Sequence, residues 1–121
     1  LPANQLFSLG VHMISKQHTG ILLFVTGLSV ASVVQANEFE VTQKDKKFNH
    51  KALTVKVGDS VSFKNEDPFV HNIFSLSDIK TFDLGSYPQG QSKKVTFDKP
   101  GTVDIECAIH PEMKMTVEVK K

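Results

Sequence analysis

The sequence contains no arginine, no tryptophan and a single cysteine among 121 residues, and it carries almost no net charge, with 14 basic side chains against 13 acidic ones. Each scarcity excludes something. Without guanidinium forks, and with a formal charge of only +1, the chain lacks the broad basic field that neutralises phosphates and the planar donors that read base edges, which argues against nucleic acid as a partner. A lone Cys107 cannot close an intrachain disulfide, so the covalent framework of many small exported domains is missing. No internal repeat and no low-complexity tract is present. What remains is a chain with 40% apolar and 22% charged residues, enough to bury one core and long enough for one domain.

The first 36 residues read as a targeting segment rather than as part of the fold. From Met13 a short cationic start, MISKQHTG, leads into about a dozen mostly apolar residues, ILLFVTGLSVASVV, and then into Val34-Gln35-Ala36. That order is expected of a signal peptide cleaved after Ala36. A membrane anchor fits less well, because the apolar run is short of the roughly 20 residues needed to span and is interrupted by Gly27, Ser29 and Ser32. Residues 1–12 precede a plausible initiator at Met13 and add nothing a signal requires. The expected organisation is a signal peptide over residues 1–36, with residues 1–12 as an upstream extension, and one domain over residues 37–121 exported to the periplasm. Within that domain 13 lysines balance 13 acids, so electrostatic selectivity must come from local patches.

Beyond Ala36 the apolar residues alternate with a period of two and fall on odd numbers in nearly every run. Phe39 and Val41 form one run; Leu53, Val55 and Val57 form another, which continues past Gly58-Asp59-Ser60 as Val61 and Phe63. Val95 and Phe97, then Val103, Ile105 and Cys107 after Pro100-Gly101, and finally Val117 and Val119 complete the pattern, with polar residues at the intervening even positions. FVHNIFSL is more continuously apolar, as in a strand covered on both faces, and SLSDIKTF is long enough for one helical turn. About seven short strands separated by turn signals predict an all-β antiparallel sandwich of Greek-key type.

The single thiol lies in a chemically unusual loop. Cys107-Ala108-Ile109-His110-Pro111-Glu112-Met113 places a thiol, an imidazole and a thioether within seven residues at the end of a predicted strand. Soft sulfur with imidazole selects copper over hard cations, and two histidines with one cysteine plus a distant methionine describe an electron-transfer copper site. The second imidazole has to come from elsewhere, and His71 is the candidate, in phase with Ile73. Taken alone, His71 also reads as an ordinary core histidine and Cys107 as a buried inert thiol. The thiol left unpaired in an exported chain, together with the Cys-x2-His-x2-Met spacing, favours the metal.

The stretches VKVGDSVSFKNEDPFVHN and FDKPGTVDIECAIHPEMKMTVEV resemble the small blue-copper proteins, the cupredoxins, over nearly all of residues 38–121. The short Cys-x2-His-x2-Met loop with proline after the histidine is most similar to that of the amicyanins, the plastocyanin loop being longer between histidine and methionine. The resemblance implies a β-sandwich with one type 1 copper held by His71, Cys107, His110 and an axial methionine. Met115 fits the longer plastocyanin-like spacing, whereas Met113 fits the short spacing and the offset to the valine strand that follows, which favours Met113 as the ligand with Met115 as a core residue. The resemblance also implies that the Asn72 side chain ties the two ligand-bearing segments together. It implies that His110 exposes a ring edge within an apolar patch to which Ala108, Ile109, Pro111, Pro68 and Phe69 can contribute.

No second ligand cluster is present in the sequence, and no enzyme activity is expected. The leading reading is a monomeric periplasmic electron carrier cycling Cu(II) and Cu(I) between redox protein partners, such as a dehydrogenase donor and a cytochrome acceptor. The alternative is a periplasmic copper-binding or delivery protein that uses the same ligands without rapid redox cycling. Glu112, inside the loop, offers either a carboxylate near the metal or a charge on the docking surface.

Overall fold

The alternating pattern after Ala36 becomes strand in a computed structural model that describes Gly20 and residues 26–121. Residues Val33–Lys121 form one compact unit holding nine strands. These are β1 (Glu38–Lys44), β2 (Lys47–Phe48), β3 (Ala52–Lys56), β4 (Ser60–Asn65), β5 (His71–Ser77), β6 (Lys80–Tyr87), β7 (Ser92–Thr96), β8 (Gly101–Cys107) and β9 (Lys114–Lys120). They form two sheets, β2-β1-β4-β7 and β3-β9-β8-β5-β6. The signal segment expected over residues 1–36 lies largely outside the described residues, among which no helix is long and apolar enough to cross a membrane.

The core between the sheets is built from the odd-numbered side chains. Val41, Val61, Phe63 and Val95 come from the four-stranded sheet and Val55, Ile73, Val103, Ile105 and Val117 from the five-stranded one, all essentially inaccessible to solvent. Full burial of a valine, isoleucine or phenylalanine side chain contributes about 1.5–3 kcal/mol. Lys94, Asp104 and Lys114, on even positions, face outward.

Pairing is mixed rather than purely antiparallel: β1 runs parallel to β4, and β3 parallel to β9. The chain crosses from β1 to β3 in the other sheet before returning beside β1 as β4. Two reversals bring it back in its original direction. Two of the nine strands, β2 and β6, have no counterpart in the expected set. In β6 an extra residue is accommodated where the pairing shifts from Asn72↔Ser86 to Phe74↔Asp83. This bulge changes the parity of the inward positions, so that Phe82 and Leu84 are even and Tyr87 odd.

The turn of helix allowed for SLSDIKTF is absent. Ser75–Ser77 and Lys80–Phe82 belong to β5 and β6, joined by a tight turn at Asp78-Ile79. Ile79 packs towards Gly101, where φ is 137° and a Cβ would lie 2.7 Å from Ile79 Cδ1. Glycine is required there for both space and conformation. Nor is β5 covered on both faces. His71, Ile73 and Ser75 are buried, but Leu76 is 76% exposed because the outer face of this sheet meets solvent. Val57, expected to point inward, is 40% exposed at the turn into β4.

Candidate metal centre

The antiparallel pairing of β5 with β8 sets Ile73 opposite Cys107. His71 begins β5 two residues before Ile73 and Cys107 ends β8, so period two puts both side chains on the inner face at one end of the sheet. The connection from β8 to β9 brings in the third group. Cys107 N–H donates to the Met113 carbonyl at 3.2 Å and Met113 N–H to the His110 carbonyl at 2.9 Å. The second bond closes a turn with Pro111 at its first central position, where a fixed φ is favourable.

As a result His71 Nδ1 and His110 Nδ1 each lie 3.7 Å from Cys107 Sγ, and the three donor atoms are all within 4.8 Å of one another. The spacing can be tested against a metal. With metal–sulfur and metal–nitrogen bonds of about 2.3 and 2.0 Å, a trigonal angle of about 120° separates sulfur from nitrogen by about 3.7 Å. Two imidazoles and one thiol at this spacing fit one soft or borderline ion. His71 and Cys107 are buried and His110 is half-buried. Met113 and Met115 are both buried as well, with Met115 paired opposite Ile105 in the β8–β9 ladder. Glu112 is exposed and lies outside the donor cluster.

The outer nitrogen of His71 is not left to solvent. His71 Nε2 lies 2.7 Å from Asp67 Oδ2, and both side chains are buried. The same carboxylate accepts N–H bonds from Asp45 at 2.6 Å and Lys46 at 3.1 Å. These two residues have φ of 53° and 58°, the left-handed pair of a tight hairpin turn between β1 and β2, which aims consecutive N–H groups at one anion. Burial pushes the Asp67 carboxyl up, but the bond from His71 and the two backbone donors outweigh it and hold it below the ordinary value.

Asn65 at the end of β4 fixes the segment between the sheets. Its Nδ2 donates to the carbonyls of Phe69 at 2.8 Å and Tyr87 at 3.0 Å, and its Oδ1 accepts from Asp67 N–H at 2.8 Å. Asn72 does not act as expected: its backbone carbonyl accepts from Ala108 N–H at 2.9 Å, while its side-chain Oδ1 is buried without a partner. The tie between the two ligand-bearing segments is main chain to main chain. Neither Asp67 nor Asn65 stands out in the sequence, because neither lies in the ligand loop or next to His71.

Phe69 closes the centre from outside. Its ring centroid lies 5.4 Å from that of His71 and 5.3 Å from that of His110, with Lys46 Nζ 5.7 Å from its own centroid. Phe69 is 37% and Ile109 46% exposed, and Pro68, Ala108 and Pro111 are exposed too. Deeper in, the Tyr87 hydroxyl oxygen accepts from Gln43 Nε2 at 2.6 Å. Burial pushes its phenol up to about 12, the Gln43 bond acting against and the charge at Cys107 adding to the rise.

A small two-sheet sandwich that gathers two imidazole nitrogens and one thiol at the mouth of its core defines the class of the cupredoxins. Residues 35–120 match the family model for copper binding proteins, plastocyanin/azurin family, and the chain belongs to that family. It is 33% identical over 92 residues to the methylamine utilization protein MauL of Methylorubrum extorquens, covering 75% of this chain and 81% of that one. Among solved structures, a Cu(I) amicyanin variant superposes with a TM-score of 0.65 at 27% identity, covering 69% of this chain and 82% of the amicyanin. A copper-containing nitrite reductase from Thermus scotoductus gives 0.65 at 28% identity, but the chain spans only 22% of it. The protein is thus a copper-binding cupredoxin, with a His-Cys-His cluster typical of type 1 copper electron carriers.

Proposed function

We propose that the chain is an exported one-electron carrier whose copper would be held by His71 Nδ1, Cys107 Sγ and His110 Nδ1, with Met113 as a fourth, weaker ligand. The observation that carries this reading is the pair of 3.7 Å separations from Sγ to the two Nδ1 atoms, a preformed set of one thiol and two imidazole donors close enough to share one ion. Bound copper supplies a Cu(II)/Cu(I) couple. The protein supplies rigidity: the Asp67 carboxylate, anchored on the β1–β2 turn, holds the His71 ring, and the Cys107–Met113 backbone bond holds the loop. Ligands fixed from behind in this way keep their orientation in both oxidation states. His110, half-buried among exposed Pro68, Phe69, Ala108, Ile109 and Pro111, offers the route out, since an apolar rim is readily desolvated by a docking protein.

The signal-like pattern of residues 13–36, with a domain over residues 37–121, supports a periplasmic location. The partners are an electron donor and an acceptor. Similarity to a methylamine utilization protein supports redox partners in that process, with a dehydrogenase and a cytochrome as the expected pair. Voltammetry of the copper-loaded protein tests the carrier role. A reversible one-electron wave is expected, whereas cycling that loses metal contradicts it and indicates a delivery protein.

A further inference from the structure

The start of the sandwich holds a second polar arrangement, remote in sequence from the metal loop. Asp59 lies in the turn between β3 and β4 with its side chain only 2% exposed. Its Oδ1 accepts the backbone N–H of Asn37 at 2.8 Å and its Oδ2 that of Lys56 at 2.8 Å. These two N–H bonds pull its carboxyl below the ordinary value, against the opposing effect of burial. Among the described residues Asp59 forms no ion pair, so a buried carboxylate is met by amide dipoles and by the more distant charge of Lys56 alone.

Asn37 is the first residue secured by the sheets. Its carbonyl accepts Ser60 N–H at 2.9 Å, extending the parallel ladder that begins with Glu38 opposite Ser60. Residues 33–36 before it are exposed and belong to no strand, with Val33 88% and Val34 89% exposed. Val34, Gln35 and Ala36 line one side of a cavity of about 160 Å³ whose other side includes Lys56 and Asp59. This segment covers the Asp59 turn without packing tightly on it.

We propose that the Ala36–Asn37 peptide bond is a processing site and that the α-ammonium released on Asn37 becomes the counter-ion of Asp59. The step is a hydrolysis. Solvent water adds across the bond, leaving a carboxylate on Ala36 and an amine on Asn37, which takes up a proton at neutral pH; the peptidase of the export machinery is the catalyst. The nitrogen already lies within hydrogen-bond distance of Oδ1. Cleavage therefore replaces an amide dipole by a full positive charge at a buried anion, and departure of residues 34–36 opens the site so that the remaining ammonium protons are hydrated. Charge-assisted bonds of this kind are roughly twice as strong as neutral ones. Removal of the leader thereby strengthens the joint between β1 and the β3–β4 turn.

The proposal rests on the export reading, and the test separates the two. The full chain is expressed in a Gram-negative host, the periplasmic product is weighed intact, and its α-amino group is titrated by NMR. An N-terminus at Asn37 is expected, with the amine titrating above its ordinary value of about 8. The Asp59→Asn variant returns it to about 8. If that variant does not fold, a chain processed one residue earlier, at Ala36, moves the amine away from Asp59 and gives the ordinary value instead. The charged groups on the elements around it, Lys56 and Lys120 on β3 and β9, Glu38 with its ion-pair partner Lys94, and Asp98 beside Phe97, whose N–H bonds the Asp59 carbonyl, are unchanged in every variant. An exported product beginning elsewhere, or an Asn37 amine titrating at or below about 8, overturns the proposal while leaving export intact. An unprocessed chain retained in the cytoplasm overturns both.

Discussion

Asp67 Oδ2 and His71 Nε2 lie 2.7 Å apart in the protein interior, while the opposite nitrogen of the same ring faces Cys107 Sγ. One side chain thus links the metal cluster in the five-stranded sheet to a hairpin turn in the four-stranded sheet. The carboxylate fixes which ring nitrogen is free to bind metal, because Nε2 is already engaged. Replacing Asp67 by Ala is expected to lower copper affinity by about 10–100-fold, measured by competition with a chelator. Unchanged affinity would show that His71 is held by packing alone.

Asn65 makes three side-chain bonds that a methyl group cannot replace. Asn65→Ala leaves the buried Tyr87 carbonyl, the part-buried Phe69 carbonyl and the Asp67 N–H without this partner, at a cost of about 1–3 kcal/mol for each buried group left unsatisfied. The metal-free protein is expected to lose at least about 2 kcal/mol in a denaturant melt. A loss within error of zero contradicts the role of Asn65 in holding the segment from Asp67 to His71.

The two buried methionines should be separable. Met115→Leu conserves volume within the β8–β9 ladder and is expected to cost less than about 1.5 kcal/mol with the visible spectrum of the copper form unchanged. Met113→Leu is expected to shift that spectrum and the reduction potential at similar stability. The reverse pattern makes Met115 the axial group.

Tyr87 is the only tyrosine, so phenolate absorbance reports it alone. Its phenol is raised to about 12 in the folded protein, against an ordinary value of about 10. A pKa raised on folding gives stability that is full below the unfolded value and lost as pH rises through the folded one. Stability is therefore expected to fall between about pH 10 and pH 12, in step with the phenolate signal. Ionisation at about 10 without unfolding contradicts the buried Gln43–Tyr87 contact.

Much of this molecule was legible in its sequence, for identifiable reasons. The odd-numbered register of Val61, Phe63, Val103, Ile105, Val117 and Val119 survives intact because each lies in an uninterrupted strand with one face on the core. Cys107 and His110 were legible from the Cys-x2-His-x2-Met spacing around an unpaired thiol, whereas His71, 36 residues upstream, was legible only in combination with them and with the resemblance to the cupredoxins. The bulge opposite Asn72 and Phe74 hid β6, since an extra residue shifts Tyr87 out of step with Phe82 and Leu84. Asp67 and Asn65 were hidden for a different reason: their partners are a hairpin turn and carbonyls that approach only after both sheets have assembled. The Asn72 carbonyl, like any backbone group, left no sequence signal.

The Cys107 thiolate as a copper ligand is tested most directly by loading the protein with Cu(II) and recording its visible and EPR spectra beside those of Cys107→Ala. The intact protein is expected to show an intense thiolate-to-copper band with narrow hyperfine splitting, and the variant to lose both. A colourless Cu(II) complex of the intact protein, or colour that persists without the thiol, contradicts it.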